Sequence, residues 1–312
     1  MSNKTSARQI RIGTRGSRLA LAQAQEVCDR LMAAHGSRVS CQTCIIKTSG
    51  DKIQDRALAA VGGKGLFTKE LEEALLEESI DLAVHSMKDM PAFLPKGLEI
   101  ACILPREDVR DAFISLVASS LGALPPGSII GTASIRREAF VRHKRPDVKT
   151  VLFRGNVETR LKKLADGQAH ATILAAAGLK RLGLADRIAQ YLPFEDMLPA
   201  PAQGAIGVEI RSSDKRMHSL LAAIHDEATG AAIAAERAFL AELDGSCRTP
   251  IAALARVEDG TISFQGAILP PDGARIYRIE RTGPIDRAPP LGKDAALELL
   301  SRGGKDVFPE RY

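Results

Sequence analysis

Four polar residues, His85, Ser86, Lys88 and Asp89, stand directly behind the apolar run Ile80-Asp81-Leu82-Ala83-Val84, and Pro91 breaks the chain just after them. The run is too short for a helix and reads as a buried strand, while Pro91 stops any regular continuation. Imidazole, hydroxyl, ammonium and carboxylate groups within five positions offer proton transfer and ionic binding together. In open α/β sheets ligands sit outside the carboxyl ends of strands, where this cluster is expected to lie. A polar turn capping a strand would explain any one of these residues, but not four at once.

Basic residues recur in the same setting. Gln9 to Thr14 reads as a strand, Arg15-Gly16-Ser17 as a turn, and Leu19 to Ala33 has apolar residues at helical spacing. Arg15 and Ser17 therefore flank a helix start whose free N–H groups favour anions, with Ser17 as N-cap. Ser128 to Arg137 repeats the arrangement: an apolar strand, then Thr132 and Ser134 as capping hydroxyls, then Arg136 and Arg137. Arg154 ends the strand read from Thr150, Arg160 lies one turn into the helix Val157 to Ala165, and Arg181 follows the strand Ala171 to Ala176. Gly50 to Gly65 reads as a mobile loop ending in Val61-Gly62-Gly63-Lys64-Gly65, a backbone nest for an anion with Lys64 as its side chain. It fits neither the P-loop nor the dinucleotide fingerprint. Arg outnumbers Lys by 28 to 15, and guanidinium forks bind carboxylates and phosphates bidentately. A GC-rich genome would enrich Arg everywhere, not at these turns, so the partner expected is an anionic small molecule.

These turns need strands and helices to carry them. At 312 residues the chain exceeds what one core usually organises, and 45% hydrophobic with 26% charged residues is ordinary for a globular protein. No apolar run spans a bilayer and Met1 to Arg8 has no signal-peptide character, so a cytoplasmic protein is expected, with no membrane partner. Cys28, Cys41, Cys44, Cys102 and Cys247 are odd in number and scattered, which suits a reducing compartment rather than a disulfide framework. Cys41 and Cys44 point to opposite faces of the strand read over Val39 to Thr48, against a redox or metal pair. Arg142, His143, Lys144 and Arg145 read as a solvated helix face. Without a helix-turn-helix, zinc-finger or aromatic pattern they do not argue for nucleic acid.

Six segments in one collinear order resemble porphobilinogen deaminases, also called hydroxymethylbilane synthases. They are Val61 to Phe67, Val84 to Pro91, Gly131 to Arg137, Arg154 to Val157, Leu198 to Gly204, and Gly245-Ser246-Cys247-Arg248. The resemblance implies a monomeric transferase of tetrapyrrole biosynthesis. It would condense four porphobilinogen molecules head to tail, release ammonia at each addition, and free 1-hydroxymethylbilane by hydrolysis. It implies a dipyrromethane cofactor joined by a thioether to Cys247, where Arg248 would favour the thiolate.

The same resemblance implies two periplasmic-binding-protein-like α/β domains plus a smaller α+β C-terminal domain. The first would comprise residues 1–104 and 203–222, the second 109–198, and the third 226–312, carrying the cofactor cysteine. Asp89 would be the catalytic residue, a buried carboxylate that hydrogen-bonds pyrrole N–H groups and offsets cationic stages. Cofactor contacts would come from Asp89, Lys88, Thr132, Ser134, Arg136 and Arg137. Arg15, Ser17, Lys64, Ser86, Arg154, Arg160, Arg181 and Gln203 would bind substrate. Ala60 stands where some relatives have Lys, so no contact is expected there. The rival class is a solute binder that only closes around an anion, and Cys247 with its third domain discriminates against it.

Overall fold

The computed structural model describes residues 8–52, 65–243 and 249–309. Its strands in chain order are β1 Arg8–Thr14, β2 Val39–Ile45, β3 Leu82–Ser86, β4 Leu98–Ile103, β5 Asp111–Ser115, β6 Ile129–Thr132, β7 Lys149–Leu152, β8 Ala171–Ala175, β9 Gln190–Tyr191, β10 Ile206–Arg211, β11 Ile251–Glu258, β12 Thr261–Ile268 and β13 Tyr277–Pro284. The α-helices are α1 Arg18–His35, α2 Ser49–Lys52, α3 Lys69–Leu76, α4 Ile135–Lys144, α5 Val157–Ala165, α6 Ala176–Arg181, α7 Lys215–Ala222, α8 Glu227–Glu242 and α9 Ala288–Val307. The described residues divide into one unit of 8–52, 65–106 and 205–230, and a second of 107–204, 231–243 and 249–309.

The first unit is built on the sheet β2-β1-β3-β10-β4. β1 runs parallel to β2 and β3, while β10 runs antiparallel to both β3 and β4. Alternation sets the two faces. Ile10, Ile12, Leu82, Val84, Val208 and Ile210 join Ala24, Val27 and Leu31 of α1 in one buried cluster, whose apolar positions on α1 recur at helical spacing. Burying each large aliphatic side chain contributes about 1.5–3 kcal/mol. On the opposite face Ala83 packs with Leu71, Leu75 and Ile80. Gly13 lets that layer approach, because a Cβ there would lie 2.3 Å from Ile80 Cδ1. α1 starts where Ser17 Oγ accepts the Ala20 N–H at 3.2 Å, and stops at Gly36, whose φ of 59° suits glycine.

In the second unit the sheet order is β7-β6-β8-β5-β9, with β6 parallel to β7 and β8 and β5 antiparallel to β8 and β9. Both five-stranded sheets thus carry three parallel strands followed by an antiparallel one in fourth place. In the first sheet that strand comes late in the chain, and in the second it comes first. The remaining sheet is the antiparallel meander β11-β12-β13. Its period-two alternation serves two cores. Ala253, Ala255, Ile262, Phe264 and Ile268 pack under Phe239 of α8 and Leu299 of α9, while Ala252, Leu254, Ala267 and Leu269 join Phe113, Phe140 and Ile173 of the neighbouring layer.

Two α/β sheets and a smaller α+β sheet are the fold class expected from the sequence. Element ends differ by a few residues: β2, read over Val39 to Thr48, stops at Ile45. Ser49–Lys52 is helical where a loop is expected, while 53–64, with Lys64, lie outside the described residues. α9 is unforeseen. Arg145 is no part of a solvated face, since it donates to the carbonyls of Leu121 at 2.6 Å and Leu124 at 2.7 Å and pairs with Asp147.

Candidate active site

The turns after β1 and β3 lie side by side, because these strands are parallel neighbours, Gly13 opposite Ala83. Arg15 pairs with Asp51, its Nε 3.1 and 3.2 Å from the two carboxylate oxygens, and its guanidinium carbon lies 4.2 Å from the Phe67 ring centre. Burial pushes the Asp51 carboxyl up, but Arg15 and Thr48 outweigh it and hold the group below its ordinary value. Ser86 Oγ lies within 3.0 Å of the Gln23 amide, which ties the end of β3 to α1.

Beyond Ser86 a single 3-10 turn, Met87–Asp89, carries the remaining polar groups. Met87 and Met90 point inward, at 1% and 4% exposure, so Lys88 and Asp89 point out. Asp89 is exposed, which corrects the expectation of a buried carboxylate: the apolar residues of this turn claim the interior. His85 goes the other way. It is buried, with Nε2 2.8 Å from Oε2 of the fully buried Glu209 on β10. Glu72 of α3 is buried too. Burial raises its carboxyl; the nearby Thr68 hydroxyl and His85 oppose the rise, while Glu209 adds to it.

The corresponding edge of the second unit holds a buried network. β5 begins antiparallel beside the end of β8, Asp111 opposite Ala175, which brings Asp111 to the strand ends that precede α4 and α6. Its Oδ2 lies 2.7 Å from Nη1 of Arg136, and its Oδ1 accepts from Arg137 Nε at 3.0 Å and Nη2 at 2.8 Å. Gln203 Nε2 adds a bond of 3.1 Å to the same oxygen and one of 2.8 Å to the Val109 carbonyl. Full burial pushes the Asp111 carboxyl up, yet the two guanidinium groups and Gln203 hold it well below the ordinary range. One carboxylate against two guanidinium groups leaves this cluster a net positive charge. The arginines also serve carbonyls, Arg136 that of Leu198 at 2.6 Å and Arg137 that of Ile173 at 2.9 Å.

Thr132 Oγ1 accepts the Ser134 N–H at 3.2 Å, and Ser134 Oγ caps α4 by accepting the Arg137 N–H at 3.4 Å. Both hydroxyls therefore spend acceptor capacity locally and keep an O–H to donate, as does Ser17. Arg154 is buried behind β7, and Arg160 Nε donates to the Gly155 carbonyl at 2.9 Å. Arg181, at the end of α6, donates to the Gly204 carbonyl at 3.1 Å. β7, β6 and β8 are adjacent parallel strands, so Thr132, Ser134, Arg136 and Arg154 share one sheet edge, while Arg181 lies at the far end of α6, the helix that follows β8. Cys247, Arg248 and Lys64 lie outside the described residues. Asp111, Gln23 and Glu209 are parts that sequence reasoning missed. For Asp111 the one signal is a carboxylate opening the apolar run Ala112-Phe113-Ile114.

The carboxyl-end turns of the two mixed sheets of this α/β protein carry guanidinium, ammonium and hydroxyl donors, groups whose chemistry suits anionic ligands. Residues 10–219 match the family model "Porphobilinogen deaminase, dipyromethane cofactor binding domain", and residues 231–301 match "Porphobilinogen deaminase, C-terminal domain". The porphobilinogen deaminase of Paracoccus denitrificans is 55% identical over 300 residues, covering 96% of each chain. That of Nitrobacter hamburgensis is 57% identical over 300 residues, covering 95% of this chain and 94% of the relative. The chloroplastic porphobilinogen deaminase of Oryza sativa is 55% identical over 305 residues, covering 96% of this chain and 85% of the relative. The chain belongs to the porphobilinogen deaminase family, enzymes of tetrapyrrole synthesis with a dipyrromethane-binding domain. Among the described residues no helix is long and apolar enough to cross a membrane.

Proposed function

We propose that this chain is a monomeric transferase that adds four porphobilinogen molecules head to tail onto a dipyrromethane joined to Cys247, releases ammonia at each addition, and frees 1-hydroxymethylbilane by hydrolysis. The observation that carries the reading is the row of cationic and hydroxyl donors at the carboxyl edges of both five-stranded sheets. Each pyrrole of substrate and product bears an acetate and a propionate, so the covalent chain gains two negative charges per addition.

The residues present fit such a group. Thr132 and Ser134 each accept one backbone N–H and retain an O–H donor, which suits a carboxylate ligand. Arg136 and Arg137 bring the net charge of their cluster to the same turn. These four, with Lys88 and Asp89, would hold the dipyrromethane. Bound, it supplies the pyrrole α-carbon onto which the first substrate is added. Arg15, Ser17, Lys64, Ser86, Arg154, Arg160 and Arg181 would bind the carboxylates of porphobilinogen and of the lengthening chain, whereas Gln203, read from the sequence as a substrate contact, is buried with its amide N–H donors on Asp111 and the Val109 carbonyl and would hold that network instead. Asp89, exposed at the end of its turn, would accept pyrrole N–H hydrogen bonds and offset positive charge that develops as ammonia leaves.

The test is an intact-mass measurement. The purified protein should be heavier than its sequence by one dipyrromethane, and Cys247→Ser should remove the increment. An unmodified protein with full activity sinks the assignment of the cofactor to Cys247.

A further inference from the structure

Glu236 on α8 is fully buried and uses both carboxylate oxygens on backbone N–H groups. Oε1 accepts from Ala255 of β11 at 2.7 Å, and Oε2 accepts from Ala202 at 2.5 Å. Ala202 has a φ of 61°, in the left-handed region where a side chain with a Cβ is strained. The loop around it is pinned further, since the Ala253 N–H donates to the Pro199 carbonyl at 3.0 Å and the Gln203 N–H to that of Ala200 at 3.0 Å. The left-handed residue is followed directly by Gln203, which enters the interior and donates to Asp111. Asp111 in turn orients Arg136 and Arg137. One continuous line of contacts therefore leads from the Glu236 carboxylate through Ala202, Gln203 and Asp111 to both arginines.

We propose that Glu236 is a positioning residue. Its carboxylate holds Ala202 in the left-handed conformation that turns Gln203 into the Asp111 network, and so fixes the orientation of Arg136 and Arg137. The functional weight of that orientation rests on the reading above, in which these arginines hold carboxylates of the cofactor. A carboxylate suits the task because it presents acceptors only. An amide in its place would set an NH2 against one of the two backbone donors and leave that N–H unsatisfied.

The strain at Ala202 supplies the test. Glycine adopts positive φ without a Cβ penalty, so Ala202→Gly should make the conformation stand without Glu236. The readout is solvent exchange of the Arg137 Nε–H in loaded, full-length protein carrying labelled arginine, well below each variant's melting temperature. Glu236→Gln should speed that exchange about tenfold or more, as expected for opening of a buried hydrogen bond, and turnover should fall with it. Adding Ala202→Gly should return most of both.

Unchanged exchange in Glu236→Gln overturns the proposal. So does faster exchange that Ala202→Gly leaves uncorrected, since Glu236 would then act only by bridging α8 to β11. Exchange that follows the expected pattern while turnover stays at the wild-type rate upholds the positioning and sinks instead the role given to the arginines. Should Glu236→Gln fail to fold, Glu236→Asp, which keeps the charge but shortens its reach, is read by the same criteria.

Discussion

His85 Nε2 lies 2.8 Å from Glu209 Oε2 inside the first unit, with both side chains almost wholly removed from solvent. The residue one position before Ser86 is thus a buried partner of β10, on the sheet face that α3 covers. Period-two alternation explains the placement. Leu82 and Val84 face α1, so Ala83 and His85 face the other way.

The same pocket holds Glu72, and its stability should depend on pH with a definite sign. Burial raises the Glu72 carboxyl above its ordinary 4.5, so the folded state holds this proton more tightly than the unfolded chain. That contribution is fully present below about pH 4.5 and is lost as pH rises through the raised value. Glu72→Gln, a neutral mimic of the protonated side chain, should therefore gain in melting temperature relative to wild type as pH rises toward neutrality. A difference that stays flat across this range would mean that folding leaves the Glu72 carboxyl unshifted.

Gly207 of β10 lies beneath the turn that carries Lys88 and Asp89. A Cβ there would sit 2.0 Å from Met87 Sδ and 2.9 Å from its Cγ. Met is flexible, but Met87 is 1% exposed and has little room to retreat. Gly207→Ala should cost about 1–3 kcal/mol by overpacking. Displacing Met87 should also move its neighbours, so turnover should drop further than the loss of folded protein accounts for. Calorimetry and assay on the same sample decide it, and full activity per folded molecule would separate Met87 from the geometry of the turn.

Much of this arrangement is legible in the sequence. Alternation marks β1 and short apolar runs mark β3 and β6, while capping hydroxyls followed by helical spacing mark α1 and α4, so the basic turns can be placed without coordinates. Asp111 is not legible in that way. Its charge reads as part of an exposed crossing, and only the antiparallel entry of β5 beside β8 buries it against two arginines from α4. Glu209 pairs with His85 across 124 positions, which no local pattern signals. α9 hides for a different reason. Pro289, Pro290, Gly292, Gly303 and Gly304 look like breakers, yet the prolines occupy its first turn, where they are tolerated. Gly292 packs against Ala235 so closely that a Cβ would lie 2.0 Å from that carbonyl oxygen.

Two arginines separate binding from surface charge. Arg154 is buried at the sheet edge, whereas the side chain of Arg142 is 44% exposed, pairing with Glu138 on its own helix and donating to the Pro271 carbonyl. Arg154→Leu should lower cofactor loading or chain assembly about 10- to 100-fold, the range for losing hydrogen bonds to a charged group. Arg142→Leu removes an exposed pair of the kind that contributes about 0–1 kcal/mol, and should leave turnover within about twofold. Mass spectra of the loaded protein and steady-state assays report both effects. Equal losses would mean that the positions of the arginines at strand ends carry no functional information.

The last prediction divides Asp89 from His85. Asp89 is exposed on a turn whose apolar residues face inward, while His85 is committed to Glu209 in the interior. A group that offsets cationic charge must be an acid that the substrate can reach, and Asp89 is a carboxylic side chain exposed on this turn. An imidazole there would add positive charge when protonated. Asp89→Asn should therefore keep the fold and lose about 10²–10³ in rate, about 3–4 kcal/mol, the usual cost of removing one preorganised electrostatic group. Partly extended enzyme–pyrrole adducts should accumulate, because the anionic chain is still bound while its extension slows. His85→Gln should instead show its main effect in stability, since it replaces the imidazole packed against the buried Glu209 carboxylate. The two variants are compared in single-turnover experiments, with circular dichroism confirming that each is folded. An asparagine variant that runs near the wild-type rate, beside a folded glutamine variant that does not turn over, would move the catalytic role from Asp89 to His85.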